Sequence, residues 1–235
     1  MNDFIDPQLT SRNLDKYHVR RGIWLGLKGL QPTLYGTVLD VGSGRCPYKS
    51  MVLGPPSRAT RYIGMDLEET RPGYASFTPD LLWNGRVIPL PQASVDAVLL
   101  TEVLEHCPNP SEILAELFRV LRPGGRAFVT VPFLWPLHDV PYDEYRYTPY
   151  ALQRLLREAG FTLSEVHAHG GWDASLGQMI GLWVSRRPMN ANARRVLRRL
   201  ALPVCRRLFK SDTILPLDRS SMITGMWAIA GKPHD

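Results

Sequence analysis

Val38-Leu39-Asp40-Val41-Gly42-Ser43-Gly44 is the stretch on which the reading of this 235-residue chain turns. Apolar residues around an acid, then two glycines separated by one residue, describe a buried strand ending in a tight turn. At the carboxyl end of a buried parallel strand, glycine removes the Cβ and accepts positive φ, so the backbone can approach a ligand closely. Asp40 could then accept hydrogen bonds from a ligand's ammonium or hydroxyl groups. By itself the pattern fits an ordinary strand-turn equally well, and the neighbouring segments decide between the two.

Arg61-Tyr62-Ile63-Gly64-Met65-Asp66 reads as the next strand, again ending in an acid. The interval from Asp40 to Asp66 is that of one turn, one helix and one strand, which sets a carboxylate beside the glycine turn to accept both hydroxyls of a ribose. The competing reading is a cap on a following helix, a role also open to Glu68 or Glu69. A dinucleotide fingerprint would need a third glycine where Pro47 stands, which argues against a nicotinamide-dependent dehydrogenase.

Farther along, Pro89 to Ser94 is a turn and Val95 to Leu100 a buried strand running into Thr101-Glu102-Val103-Leu104-Glu105-His106. A helix is expected from Ser111, as its N-cap, to Leu121, closed by Arg122-Pro123-Gly124-Gly125. Arg126 to Val131, Phe161 to Val166 and Met222 to Ala230 read as further strands. Alternating strands and helices predict an α/β fold with a parallel sheet covered on both faces.

Length and 44% hydrophobic residues predict a single domain over 1–235. Its expected parts are an N-terminal helical cover at 1–35, a core at 36–170, a basic helical insertion at 171–220 and a last strand at 221–235. The cover contains a helix around Leu14 to Leu30 that Gly22, Gly26 and Gly29 weaken. No apolar run is long enough to span a bilayer, and the start at Met1-Asn2-Asp3 lacks a basic-then-apolar leader, so a cytoplasmic location is expected. Cys46, Cys107 and Cys205 lie far apart and form no metal-ligand spacing. The formal charge is +6. Arg186 to Lys210 holds nine basic residues and no acids, so the basicity is local and the rest of the chain is net negative, which weighs against a whole-surface nucleic-acid binder.

In their order and spacing, VLDVGSG, YIGMDLE, VDAVLLTEVLEHCPNP and LRPGGRAFVTVP resemble the class I S-adenosylmethionine-dependent methyltransferases, most closely the type 11 group that acts on small molecules and glycans. The resemblance covers roughly residues 36–170. It implies a Rossmann-like, seven-stranded, mostly parallel sheet with an antiparallel last strand, and S-adenosyl-L-methionine as cofactor. Asp40, Gly42, Ser43 and Gly44 would line its methionine and ribose parts, Asp66 would hold the ribose, and Leu67 would lie against the adenine. Thr101, Glu102 and Val103 would face the methionine and sulfonium. The acid near the adenine amino group would be Asp80 or its position would be that of Asn84. Cys46 stands where many relatives have a third glycine.

Methyl transfer from a sulfonium is an in-line displacement, so the enzyme chiefly aligns the acceptor and excludes water. A hydroxyl acceptor also needs a base. The long, aromatic, proline-stiffened segment Pro132 to Pro149 is the place to look, and relatives of this subgroup also carry a His before a Tyr-Arg-Tyr-Thr-Pro-like stretch. His138 is the candidate base, with Asp139, Tyr145 and Arg146 around it. Alternatively, His138 and Arg146 pair with Asp139, Asp143 or Glu144 to hold the loop. A metal on His138, Asp139 and Asp143 matches no ligand spacing, so no metal is expected. His106 reads as structural.

In Arg194 to Lys210, Val196, Leu197, Leu200, Val204 and Leu208 form one apolar face among arginines, with Pro203 bending or splitting the helix. This face packs on its own core, on a partner subunit such as a second copy, or on an anionic membrane surface. The expected activity is O-methylation of a small molecule or sugar. The alternatives are N-methylation of an amine, or a non-catalytic module that keeps the cofactor fold. Nucleic acid is not expected as substrate: Thr-Glu-Val-Leu follows the fourth strand where base-amino methyltransferases resemble Asn/Asp-Pro-Pro-Tyr.

Overall fold

The computed structural model describes residues 3–67, 78–217 and 221–234, so Glu68 and Glu69 lie outside the described residues. The chain divides into two compact units. A sheet unit comprises Gly26–Val131, Leu137–Val166 and Trp227–Asp235; a helical unit comprises Met1–Leu25, Pro132–Pro136 and His167–Met226. Most of the expected N-terminal cover and the basic insertion therefore fall in one unit.

Seven strands form one sheet: β1 (Tyr35–Val41), β2 (Arg58–Leu67), β3 (Leu81–Trp83), β4 (Val95–Thr101), β5 (Leu121–Pro132), β6 (Thr162–His169) and β7 (Gly225–Gly231), in the order β3-β2-β1-β4-β5-β7-β6. The pairs β1/β2, β1/β4, β2/β3 and β4/β5 are parallel. β7 runs antiparallel: its far end meets the start of β5 through Gly124 and Lys232, and the residue before it, Thr224, meets Phe133 just beyond the end of β5. The strand order reverses between β1 and β4, and in open α/β sheets ligands bind at such a switch, outside the carboxyl ends of the strands.

β4 and the second halves of β1 and β5 are buried, mostly apolar runs because both faces of a central parallel strand are covered. Helix α1 spans Tyr17–Leu30 and the short α2 spans Lys49–Val52. Helix α3 (Pro110–Val120) buries Ile113, Leu114, Leu117 and Val120, one stripe at helical spacing. Its N-cap is Asn109 rather than Ser111, since Pro110, with no N–H to satisfy, takes the first helical position. The strand that follows starts at Leu121, so Arg122 to Gly125 belong to β5 instead of a separate turn. Helix α4 (Pro149–Glu158) is capped by Thr148, whose Oγ1 accepts the Ala151 N–H at 3.2 Å.

The helical unit is built on α5 (Trp172–Arg186) and α6 (Ala191–Ser211). Leu14, Val184, Ala201 and Cys205 form its core, with Leu197 and Phe209 packed against it. Asp212 accepts N–H bonds from Gly171 (2.8 Å) and Ala174 (2.9 Å), an anion placed at the N-terminus of α5. Pro203 lies within α6 and does not split it; its side chain is exposed. The single apolar face expected on α6 is divided: Leu197 and Leu208 are half-buried, whereas Val196, Leu200 and Val204 are exposed.

Candidate active site

Gly42 and Gly44 take φ of +69° and +52° as β1 ends, and a Cβ on Gly42 would collide with the Val103 side chain beyond β4. The Gly42 and Ser43 N–H groups donate to Met65 O at 2.9 and 3.0 Å, which draws the turn onto β2. Asp66 locks it further: Oδ2 accepts the Gly44 N–H and Oδ1 the Leu67 N–H, both at 2.8 Å. The structure thus brings Asp40, Gly42, Ser43, Gly44, Asp66, Leu67, Thr101, Glu102 and Val103 to the carboxyl edge of β1, β2 and β4.

Asp40 is buried, and the Tyr62 hydroxyl donates to its Oδ2. Burial pushes its carboxyl up to about 7, opposed by the Tyr62 hydrogen bond and assisted by the nearby Asp66 charge. Its Oδ1 is buried without a hydrogen-bond partner, so the acid stands poised for a donor. Glu102 holds φ +55°, a left-handed backbone that costs a non-glycine residue strain and is found at functional edges. Thr130 stabilises it, accepting the Glu102 N–H at 3.1 Å and donating its hydroxyl to Oε1 at 2.8 Å. Burial raises the Glu102 carboxyl to about 7.

The two adenine-side alternatives separate. Asp80 precedes β3 and gives Oδ2 to the Gly64 N–H at 2.8 Å. It also borders a cavity of about 320 Å³ shared with Thr37, Val95 and Arg122 at the amino ends of their strands. Asn84 follows the carboxyl end of β3, where Oδ1 accepts the Arg86 and Val87 N–H groups at 3.0 Å. Of the two, Asn84 stands at the edge that carries the glycine turn.

The segment after β5 folds back onto the end of β4. Glu144 and Tyr145 donate their N–H groups to Glu105 O at 3.0 and 3.2 Å, the Tyr145 hydroxyl donates to Pro108 O at 3.0 Å, and the Tyr147 hydroxyl to Leu104 O at 3.0 Å. Asp143 is the hub. Arg146 donates to both its carboxylate oxygens, at 2.7 and 2.8 Å, and His138 donates its backbone N–H and Nδ1–H to Oδ2 at 3.1 Å each. The Arg146 guanidinium, the largest influence, holds the Asp143 carboxyl far below the usual carboxylate range. Arg146 therefore serves Asp143, and Asp139 lies 4.0 Å from His106 Nε2.

Residue order did not point to Glu105 or His106 as members of this site. Glu105 is fully buried, and His106 meets the His138 ring edge-on, centroids 4.7 Å apart. The available signal was an acid three positions after Glu102, with a histidine immediately beyond it.

The glycine turn, clasped by the ribose-spaced acid, thus lies beside buried carboxylates at the carboxyl edge of a Rossmann-like sheet. Residues 39–129 match the family described as a methyltransferase domain, type 11. Over those residues the chain is similar to this family, the class I S-adenosylmethionine-dependent methyltransferases, and family and fold imply S-adenosyl-L-methionine as the cofactor. A Mycolicibacterium smegmatis protein named as a probable S-adenosylmethionine-dependent methyltransferase is 33% identical over 147 residues, 57% of this chain and 56% of that one. A methyltransferase from Mycobacterium sp. strain KMS is 31% identical over 169 residues, 65% of this chain and 66% of that one. The match thus spans less than two thirds of either relative. The fold is also that of a chain in the complex between the Haloferax volcanii Trm112 methyltransferase activator and a methyltransferase (TM-score 0.57, 20% identity, 96% of this chain and 99% of that one).

Proposed function

We propose that this chain transfers the methyl group of S-adenosylmethionine to a hydroxyl of a small molecule or sugar. The observation that carries the choice of oxygen is the Asp143–His138 pair: a carboxylate fixed by Arg146 orients the imidazole from its Nδ1 side at 3.1 Å. That arrangement suits a base that takes a hydroxyl proton as the methyl arrives. The oxygen's electron pair forms the new C–O bond, the C–S bond breaks, and sulfur leaves with its electrons as S-adenosylhomocysteine. Asp40, Gly42, Gly44, Asp66 and Glu102 hold the cofactor in this reading, and Asp139 and Tyr145 belong to the acceptor side.

Calorimetric titration with S-adenosylhomocysteine, wild type against Asp66→Ala, tests the cofactor half. Removing two hydrogen bonds to an ionised acceptor, each worth about 1.5–3 kcal/mol, predicts at least ~100-fold weaker binding. No binding by the wild type would instead support a non-catalytic module. Screening hydroxylated acceptors with His138→Ala tests the other half, and full activity on an amine in that variant would favour N-methylation.

For partners, Val196, Leu200 and Val204, exposed among the arginines of α6, support contact with an anionic lipid surface, with a second copy of the chain as the competing occupant. Among the described residues no helix is long and apolar enough to cross a membrane. A cytoplasmic setting fits the three buried free thiols Cys46, Cys107 and Cys205.

A further inference from the structure

Proton transfer through His138 leaves two of its neighbours without a task. Glu105, His106 and His138 each bring one ligand-capable atom to a common point, and these atoms lie within 4.8 Å of one another. Glu105 Oε1 is 3.9 Å from His106 Nε2. An ion bound at about 2.0–2.2 Å to each donor spans gaps of roughly 3–4 Å, so the widest gap must contract by no more than roughly 1–2 Å.

Glu105 supplies the reason for an ion. Its side chain is 0% exposed, and both carboxylate oxygens are buried without a hydrogen-bond partner. A buried carboxylate is costly unless it is paired, hydrogen-bonded or bound to a metal. A divalent cation would supply the partner that both oxygens lack.

The imidazoles are oriented as metal ligands are. His106 donates Nδ1–H to Tyr142 O at 2.9 Å, so the neutral ring carries its lone pair on Nε2, the nitrogen nearest Glu105. His138 donates Nδ1–H to Asp143, which places its lone pair on Nε2 as well. A ligating histidine commonly gives its other N–H to a carboxylate or a carbonyl, and both forms occur here. Asp139 Oδ2, 4.0 Å from His106 Nε2, offers a further oxygen.

We propose that Glu105, His106 and His138 form a binding site for one divalent transition-metal ion of the class that accepts imidazole nitrogen together with carboxylate oxygen, such as Zn²⁺, Mn²⁺ or Co²⁺. Three ligands leave coordination positions for water or an acceptor oxygen. An acceptor hydroxyl bound there would lose its proton more readily; in the ion-loaded chain His138 would hold the ion, and in the ion-free chain it would take the proton itself. That consequence rests on the oxygen-methylation reading; the ion site does not.

The test uses the full chain stripped with a chelator and titrated with Co²⁺, following visible absorption. One ion per chain is expected, with binding weakened at least ~100-fold by Glu105→Gln or His106→Gln and roughly 10- to 100-fold by Asp143→Asn. Unchanged far-UV circular dichroism in each variant shows that the fold survives. No cobalt bound at millimolar concentration, or wild-type affinity in both Glu105→Gln and His106→Gln, overturns the site. Cobalt binding with no S-adenosylhomocysteine binding upholds the site and overturns the cofactor reading, so the two failures are distinguishable.

Discussion

In the sheet unit, burial raises the carboxyls of Asp40, Glu102 and Glu105; in the helical unit, it lowers the imidazoles of His18 and His169. One cause, loss of hydration for the charged form, acts on both sets. The settings differ. The acids gather at the carboxyl edge of parallel strands, where such sheets receive ligands, although Asp40 Oδ1 and both Glu105 oxygens share with His18 Nε2 and both His169 nitrogens the lack of a hydrogen-bond partner. His18 stacks on Phe209, centroids 5.0 Å apart, and His169 fills the space that a Cβ on Gly22 would need. Position, at a strand edge in one unit and among packed rings in the other, is what separates the two sets.

The largest test of that contrast compares cores. Leu117 in the sheet unit and Leu14 in the helical unit are both 0% exposed, so Leu117→Ala and Leu14→Ala should each cost about 2–5 kcal/mol in urea denaturation. A loss under about 1 kcal/mol for Leu14→Ala would mean that the helical unit can collapse around the void.

Stability against pH comes next. Asp40, raised from 3.8 to about 7, favours the folded state most fully below pH 3.8, and this contribution is lost as pH rises through 7. His18 and His169, lowered from 6.5 to about 4 and about 3, contribute fully above pH 6.5 and lose that contribution as pH falls through 4 and then 3. Asp40→Asn should flatten the decline toward neutral pH and His169→Leu the decline toward acid, read from denaturation midpoints between pH 4 and 8. Equal slopes in wild type and both variants would break the comparison.

Tyr62→Phe should cost about 1–3 kcal/mol, more at pH 8 than at pH 5, because the hydroxyl serves the ionised form of Asp40. The smallest effect is expected on the exposed ridge: Leu200→Ser should change stability by within about 0.5 kcal/mol. It should nevertheless lower the share of protein that sediments with anionic phosphatidylserine vesicles.

Local patterns were readable along the chain. Gly42 and Gly44 were legible because positive φ and close approach are properties of the residue type, and Asp66 because one strand-helix-strand unit has a nearly constant length. Element ends were less so. Ser111 and Asn109 are both good caps, and the choice fell to Pro110, whose ring suits the first helical position. On α6, periodicity marked the apolar residues but could not say which half would find a core.

Glu105, His106 and His138 show the limit most clearly. Residue order alone carries the fold class, the glycine turn and the ribose-spaced acid, since those depend on backbone preferences and on the alternation of apolar residues over a few positions. The meeting of Glu105 and His106 with His138 belongs to tertiary structure. It depends on backbone bonds from Glu144 and Tyr145 to Glu105 and on the Arg146–Asp143 clamp, contacts whose geometry emerges only once β4 and β5 lie side by side.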